Sequence, residues 1–460
     1  SSEKSASMRN KYLYITLLSL LGFSAEAVAQ ALAQTPQLVV AITVDQLRTD
    51  RLETYAPLYK QSGLSRLLNE GLVFPNASYS FTPVDRASAT ASLITGSTPY
   101  YNGVTGIEWL NRNTLRPQNI VHDNTPAQLA TSTLGDELKI AFNGLCKVYS
   151  FATNAENAIL AAGHTADGTV WCAGGQWKTT PYYPNDSQWL NQYMHQYMPT
   201  DDANRNVTAL ALKCVEQSGI GTDDNTDLLC VSYTLQPDVV GYQLLDRNIA
   251  DLLDGIRRKL STARVLFVLT GTGSTEEERE GENERFRIPT GKFYINRAAN
   301  LLNMYLGATY GSAQYVEACH HNQLYLNRKL IEQKNINLGN MLRQAQEFVL
   351  QMSGVRNVYT STQLLTSDNQ LLQQVRNGFN IDKCGDLLID IAPGWQLVNE
   401  DTHSTSSSRV SNIPFPIIFL GTNIKTQRIT SPVTVDRIAP TVARAIRIRA
   451  PNACSAEPLF

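Results

Sequence analysis

The chain has 460 residues, 43% of them hydrophobic and 17% charged, with a formal net charge of −2 and a pI near 6.3. That much apolar material is enough for one large or two moderate domains with a buried core, which excludes a disordered chain. The near-neutral balance leaves no global basic field, and no Lys/Arg run is interleaved with aromatics, so no nucleic-acid partner is expected.

In chain order, Met8 is followed by Arg9 and Lys11, an apolar run from Tyr12 to Phe23, and small residues at Ala25, Ala27 and Ala29. This is the three-part layout of a secretory signal. The run falls short of the roughly 20 residues needed to cross a bilayer, and Glu26 follows soon after. The expectation is export to the periplasm or cell envelope, with no stable membrane span once the leader is removed. Residues 1–29 are therefore set aside as upstream residues and signal peptide, leaving 30–460 as the folded domain.

Short β-rich apolar runs then recur at Leu38–Val44, Cys146–Ala152, Leu228–Tyr233, Arg264–Thr270, Asp386–Ile391 and Pro416–Leu420. Helical patterns lie between several of them; Val240–Leu260 carries Leu244, Leu245, Ile249, Leu252, Leu253 and Ile256 on one stripe. Continuously apolar strands alternating with helices predict an α/β fold, a sandwich with a mainly parallel central sheet. Ligands bind such sheets beyond the carboxyl ends of the strands, which directs attention to Asp45, Asn154 with Glu156, Asp238 and Thr272. Thr275–Arg285 reads as a solvated loop, and about 288–372, with helical stretches at Asn296–Leu306 and Leu338–Leu350 and a strand near Val358, reads as an inserted subdomain. Seven cysteines are spread without a C-x-x-C pair, and their pairing stays open.

Two segments, 39–59 ("VVAITVDQLRTDRLETYAPLY") and 71–109 ("GLVFPNASYSFTPVDRASATASLITGSTPYYNGVTGIEW"), resemble the opening of the phosphate-irrepressible alkaline phosphatases, relatives of the nucleotide pyrophosphatase/phosphodiesterases. The likeness continues through "NAILAAGHTADGTVW" (157–171), "PDVVG" (237–241), "RVLFVLTGTGS" (264–274), "GDLLIDIAPGW" (385–395) and "PFPIIFLG" (414–421). It implies an alkaline-phosphatase-like sandwich in which two zinc ions about 4 Å apart clamp the attacking and leaving oxygens of an in-line phosphoryl transfer.

Carried over residue by residue, the resemblance matches three zinc ligands to Asp45, Asp238 and His403, and sets Tyr242, Thr272 and Gly273 at the positions of the other three. It sets Arg86 at the nucleophile position, Ile107 at that of an Asn that holds phosphoryl oxygens, and Asn154 and Glu156 at those of two cationic phosphate contacts. A guanidinium cannot attack phosphorus, and zinc prefers about four N, S or O ligands. The resemblance therefore implies a degenerate site with no catalytic residue and no cofactor, zinc being the alternative. The expected role is a non-catalytic binding or structural component whose partner is another envelope protein; the alternative is a weak metal-dependent phosphomonoesterase or phosphodiesterase.

Glu276, Glu277 and Glu278, or the His320–His321 pair, would be the relocated ligands of a rescued metal site, but acidic runs are usually solvated and adjacent strand residues face opposite ways. His164 and Asp167 read as hydrogen-bonding scaffold residues, and His122 and His195 as ordinary histidines. With the metals gone, Arg86 is expected to stand in for them, tying Asp45 to Asp238 or to Glu156.

Overall fold

The computed structural model describes residues 34–275, 287–407 and 412–460. The leader-like residues 1–29 and Glu276, Glu277 and Glu278 lie outside the described residues. Among the described residues no helix is long and apolar enough to cross a membrane.

The strands that open the chain are β1 (Leu38–Asp45), β2 (Leu72–Ser78), β3 (Glu108–Asn111) and β4 (Arg116–Asn119). They are followed by β5 (Val148–Ala152), β6 (Gly168–Ala173), β7 (Gln176–Lys178), β8 (Asp227–Thr234) and β9 (Val265–Gly271). Val316–His320 is β10, Gln323–Leu326 is β11, Val355–Thr360 is β12, Leu387–Ile391 is β13 and Phe415–Gly421 is β14. The central sheet runs β2-β14-β9-β1-β8-β5-β6-β7, with two-residue strands added beside β2. β9, β1, β8, β5 and β6 are mutually parallel, whereas β14 is antiparallel to both β9 and β2.

Alternation along these strands builds two cores. Val39, Leu228, Cys230, Leu266 and Val268 face one layer, while Leu38, Val40, Ile42, Leu229, Val231 and Leu269 face the other. The first layer holds the helices α1 (Arg86–Thr95) and α2 (Ala155–Ala162), whose small buried residues let them lie close together. The second holds α3 (Val239–Lys259), which buries Leu245, Ile249, Leu252, Leu253 and Ile256. Leu244, expected on that stripe, is 38% exposed. It sits at the edge of the apolar arc, one residue from Leu245 and so about 100° around the helix.

Asp386–Ile391 departs from the expected central sheet. As β13 it pairs antiparallel with β11 and β12 in a separate four-stranded sheet that also contains β10. Its apolar run is buried against helices Ile295–Tyr310 and Leu338–Leu350 in a core of its own. A fully buried strand looks the same in either sheet, so the pattern alone did not separate the two. A second small sheet of Gly291–Tyr294, Trp395–Asn399 and Ser404–Ser407 belongs to this part of the chain. All seven cysteines are unpaired, and five of them are buried.

The β3–β4 ribbon joins the two parts. Arg112, at its turn, donates to Asp386 Oδ2 (3.1 Å) and to the Cys384 carbonyl (3.0 Å), while Arg328 takes Asp386 Oδ1 at 2.8 Å. Asp386 is completely buried and also accepts from the Leu326 backbone N–H. Asp386→Ala, which leaves two guanidinium groups without their carboxylate, is expected to destabilise the protein by about 3 kcal/mol in denaturant unfolding. Amide exchange should quicken first in the β3–β4 ribbon and β11.

Candidate functional site

The residues singled out by the sheet argument meet at one edge. Asp45 ends β1, Thr272 follows β9, Asp238 follows β8 and Glu156 lies in the first turn after β5, all at the carboxyl end of parallel strands. The structure gives each a definite partner. Thr272 Oγ1 donates to Asp45 Oδ1 at 2.5 Å and accepts from the Gln46 N–H at 3.3 Å. Gly273 follows with φ of 83°, a backbone conformation that side chains with a Cβ rarely adopt.

Asp238 caps α3, its Oδ1 accepting from the Gly241 N–H at 2.7 Å. One turn on, Tyr242 is fully buried; its hydroxyl accepts from the Arg48 N–H at 3.1 Å and its ring stands edge-on to Tyr55. His403 lies in the exposed turn between Trp395–Asn399 and Ser404–Ser407. Ligand atoms of Asp45, Asp238 and His403 do not gather within 4.8 Å of one another.

Arg86 occupies the first position of α1, directly after the helix cap Asp85. Asp85 Oδ1 accepts from the Ala87 and Ser88 N–H groups, and Oδ2 accepts from the Ile107 N–H at 2.7 Å. Arg86 Nη2 then reaches Glu156 Oε2 at 3.3 Å. The Glu156 arm of the expected replacement is therefore formed. The Asp45 and Asp238 arm is not: Asp45 takes its hydrogen bond from Thr272, and Asp238 is engaged at the start of α3.

Asn119 of β4, not anticipated from the sequence, donates to Glu156 Oε1 at 3.0 Å. Burial raises the Glu156 pKa, but the hydrogen bonds from Asn119 and its own backbone together with Arg86 outweigh this and hold the carboxyl below its ordinary value. Asn154 caps α2 through its side chain, which accepts from the Asn157 N–H. Ile107 packs on the first core.

His164 is a structural residue. Its two ring nitrogens face Asp136 Oδ2 at 2.6 Å and the Leu129 carbonyl at 2.9 Å, two acceptors that only the doubly protonated ring satisfies. Its bond to Asp136 raises the His164 pKa above the usual 6.5. Burial pushes Asp136 up, but the bond from His164 and the helix cap outweigh it and hold the carboxyl below 3.8. Asp167 accepts from Lys139 and from the Val148 N–H. His122 and His195 are exposed.

His320 and His321 correct the strand-based expectation. His320 ends β10, and His321 begins the two-residue turn with φ of 51°, so alternation stops between them and their rings lie 4.0 Å apart. Burial, with His321 alongside, pushes His320 down to about 4.

The family model of the type I phosphodiesterases / nucleotide pyrophosphatases matches residues 39–412. The chain belongs to this family. Among the curated relatives of this phosphodiesterase-family chain, a calcium-transporting ATPase of Myroides odoratus is 25% identical over 533 residues, covering 95% of this chain and 96% of that protein. Alkaline phosphatase PafA of Elizabethkingia meningoseptica is 24% identical over 517 residues, covering 92% and 94%. The crystal structure of wild-type PafA superposes with a TM-score of 0.78 at 22% identity, over 92% of this chain and 98% of that one. That likeness shows a shared alkaline phosphatase fold.

Two outcomes test these contacts. Glu156→Gln is expected to cost about 1–3 kcal/mol, because a buried charged acceptor of two hydrogen bonds is replaced. The His164–Asp136 pair stabilises the fold in full between the ordinary carboxylate and imidazole values, about 4 and 6.5. The stabilisation fades as pH rises through the raised His164 pKa, or falls through the lowered Asp136 pKa. Unfolding of the wild type and His164→Asn across pH 4.5–9 should show a gap of about 2 kcal/mol near pH 5.5 that narrows on the alkaline side.

Proposed function

We propose that this chain is a non-catalytic member of the alkaline phosphatase superfamily, its cleft rebuilt as a hydrogen-bonded ion-pair network. The observation that carries this reading is Arg86 on Glu156. The resemblance aligns Arg86 with the family's nucleophile, and an arginine there supplies a fixed cation in place of an attacking oxygen.

The donor set does not suit a zinc pair. Asp45 is held by Thr272, Asp238 caps a helix, and the ligand atoms of these two and of His403 do not come together as a trio. No zinc is expected in the cleft, and no hydrolytic step is assigned to it. The leader-like N-terminus supports export, and the role proposed is binding or scaffolding of another protein in the periplasm or envelope.

The test is turnover of an aryl phosphate and an aryl phosphodiester, with zinc supplied, by the wild type and by Asp45→Asn, Asp238→Asn and Arg86→Thr. The expected result is background rates in all four, because a restored hydroxyl without a metal pair recovers little. Zinc-dependent turnover in the wild type, abolished by Asp45→Asn or Asp238→Asn, would replace this reading with that of a weak phosphomonoesterase or phosphodiesterase.

A further inference from the structure

Outside the cleft, one cluster of side chains has the makings of a ligand site. His320 and His321 sit at the tip of the β10–β11 hairpin, and Glu108, the first residue of β3, comes to the same point from the other part of the chain. One ligand atom from each of the three lies within 4.8 Å of the other two, the one such trio of His, Cys, Asp or Glu among the described residues. His320 is 7% exposed, and its Nε2 is buried with no hydrogen-bond partner. An unsatisfied buried polar atom costs about 1–3 kcal/mol, a cost that a ligand bound at Nε2 would relieve.

We propose that Glu108, His320 and His321 bind one divalent transition-metal ion of the zinc class, which fastens the β3–β4 ribbon to the β10–β11 hairpin. Two imidazoles and a carboxylate suit zinc, whereas calcium and magnesium favour all-oxygen shells. Ligands about 2.0–2.1 Å from a tetrahedral zinc stand roughly 3.4 Å from one another, so closure asks for about 1.4 Å at most. Glu108 and His321, both exposed, have room for that movement. Three protein ligands leave a fourth position for water.

The site is separate from the cleft candidates but mechanically joined to them. Glu108 pairs across the ribbon with Asn119, and Asn119 holds the carboxylate that holds Arg86. Opposed residues of an antiparallel pair project to the same face, so drawing in Glu108 bears directly on Asn119.

The experiment uses tag-free, chelator-dialysed protein titrated with zinc chloride by calorimetry, with cobalt(II) uptake followed by visible absorption. One metal ion per chain and a tetrahedral cobalt spectrum are expected. His321→Ala and Glu108→Gln, both at exposed positions and checked for folding by circular dichroism, should each weaken uptake at least about tenfold, or about 1.4 kcal/mol. Asp45→Asn combined with Asp238→Asn should leave it unchanged. No stoichiometric uptake, or uptake that survives both His321→Ala and Glu108→Gln, overturns the proposal. Uptake abolished by the Asp45/Asp238 double variant assigns the metal to the cleft and overturns the non-catalytic reading as well.

Discussion

The carboxylate of Asp85 organises most of what lies around the cleft. One oxygen closes the first turn of α1, and the other holds the Ile107 N–H, so a single side chain sets both the start of a helix and the start of the β3–β4 ribbon. The approach is close: a Cβ on Gly106 would stand 2.9 Å from Asp85 Oδ2, which leaves glycine the residue that fits without displacement. From this junction follow the place of Arg86, the register that opposes Glu108 to Asn119, and the reach of Asn119 to Glu156.

A helix N-terminus carries roughly half a positive charge, so a cation at its first position is opposed by about 0.3–1 kcal/mol. Glu156 holds Arg86 there, and the Asp85 carboxylate caps the same helix end. The result is a cleft in which Arg86 is already paired with a carboxylate of the protein. An incoming phosphate would have to compete with Glu156 for the guanidinium, and it would meet a carboxylate wherever it displaced one.

Much of the fold was legible because strand chemistry is local. Leu38 to Val44 and Leu228 to Tyr233 read as buried parallel strands from their own residues, and the carboxyl-edge rule then located Asp45, Thr272, Asp238 and Glu156. What escaped was set by partners outside each segment, from 37 residues away for Asn119 and Glu156 to 274 for Arg112 and Asp386. Asp386 looked like the start of one more central strand, yet it is the buried anchor of another sheet, where Arg112 and Arg328 balance its charge. Asn119 carried no signal of its own, since its role depends on the ribbon register. The histidine pair was misjudged because a strand rule was applied one residue past the end of the strand. The Asp85–Ser88 capping box, by contrast, is readable as Asp-x-x-Ser ahead of a helical run, and would have placed the first turn of α1.

The order of the central sheet also bears on when the chain acquires its structure. β14 fills the gap between β2 and β9, although it follows β2 by about 340 residues. At ribosomal rates of about 5–20 residues per second, β2 and β9 wait for their shared neighbour, β2 by something on the order of tens of seconds. Until Phe415–Gly421 emerges, β2 and β9 each have an apolar strand edge without its partner. Such a nascent chain spends its early life accessible to chaperones, with β14 acting as the keystone that ends the exposure of these β2 and β9 edges.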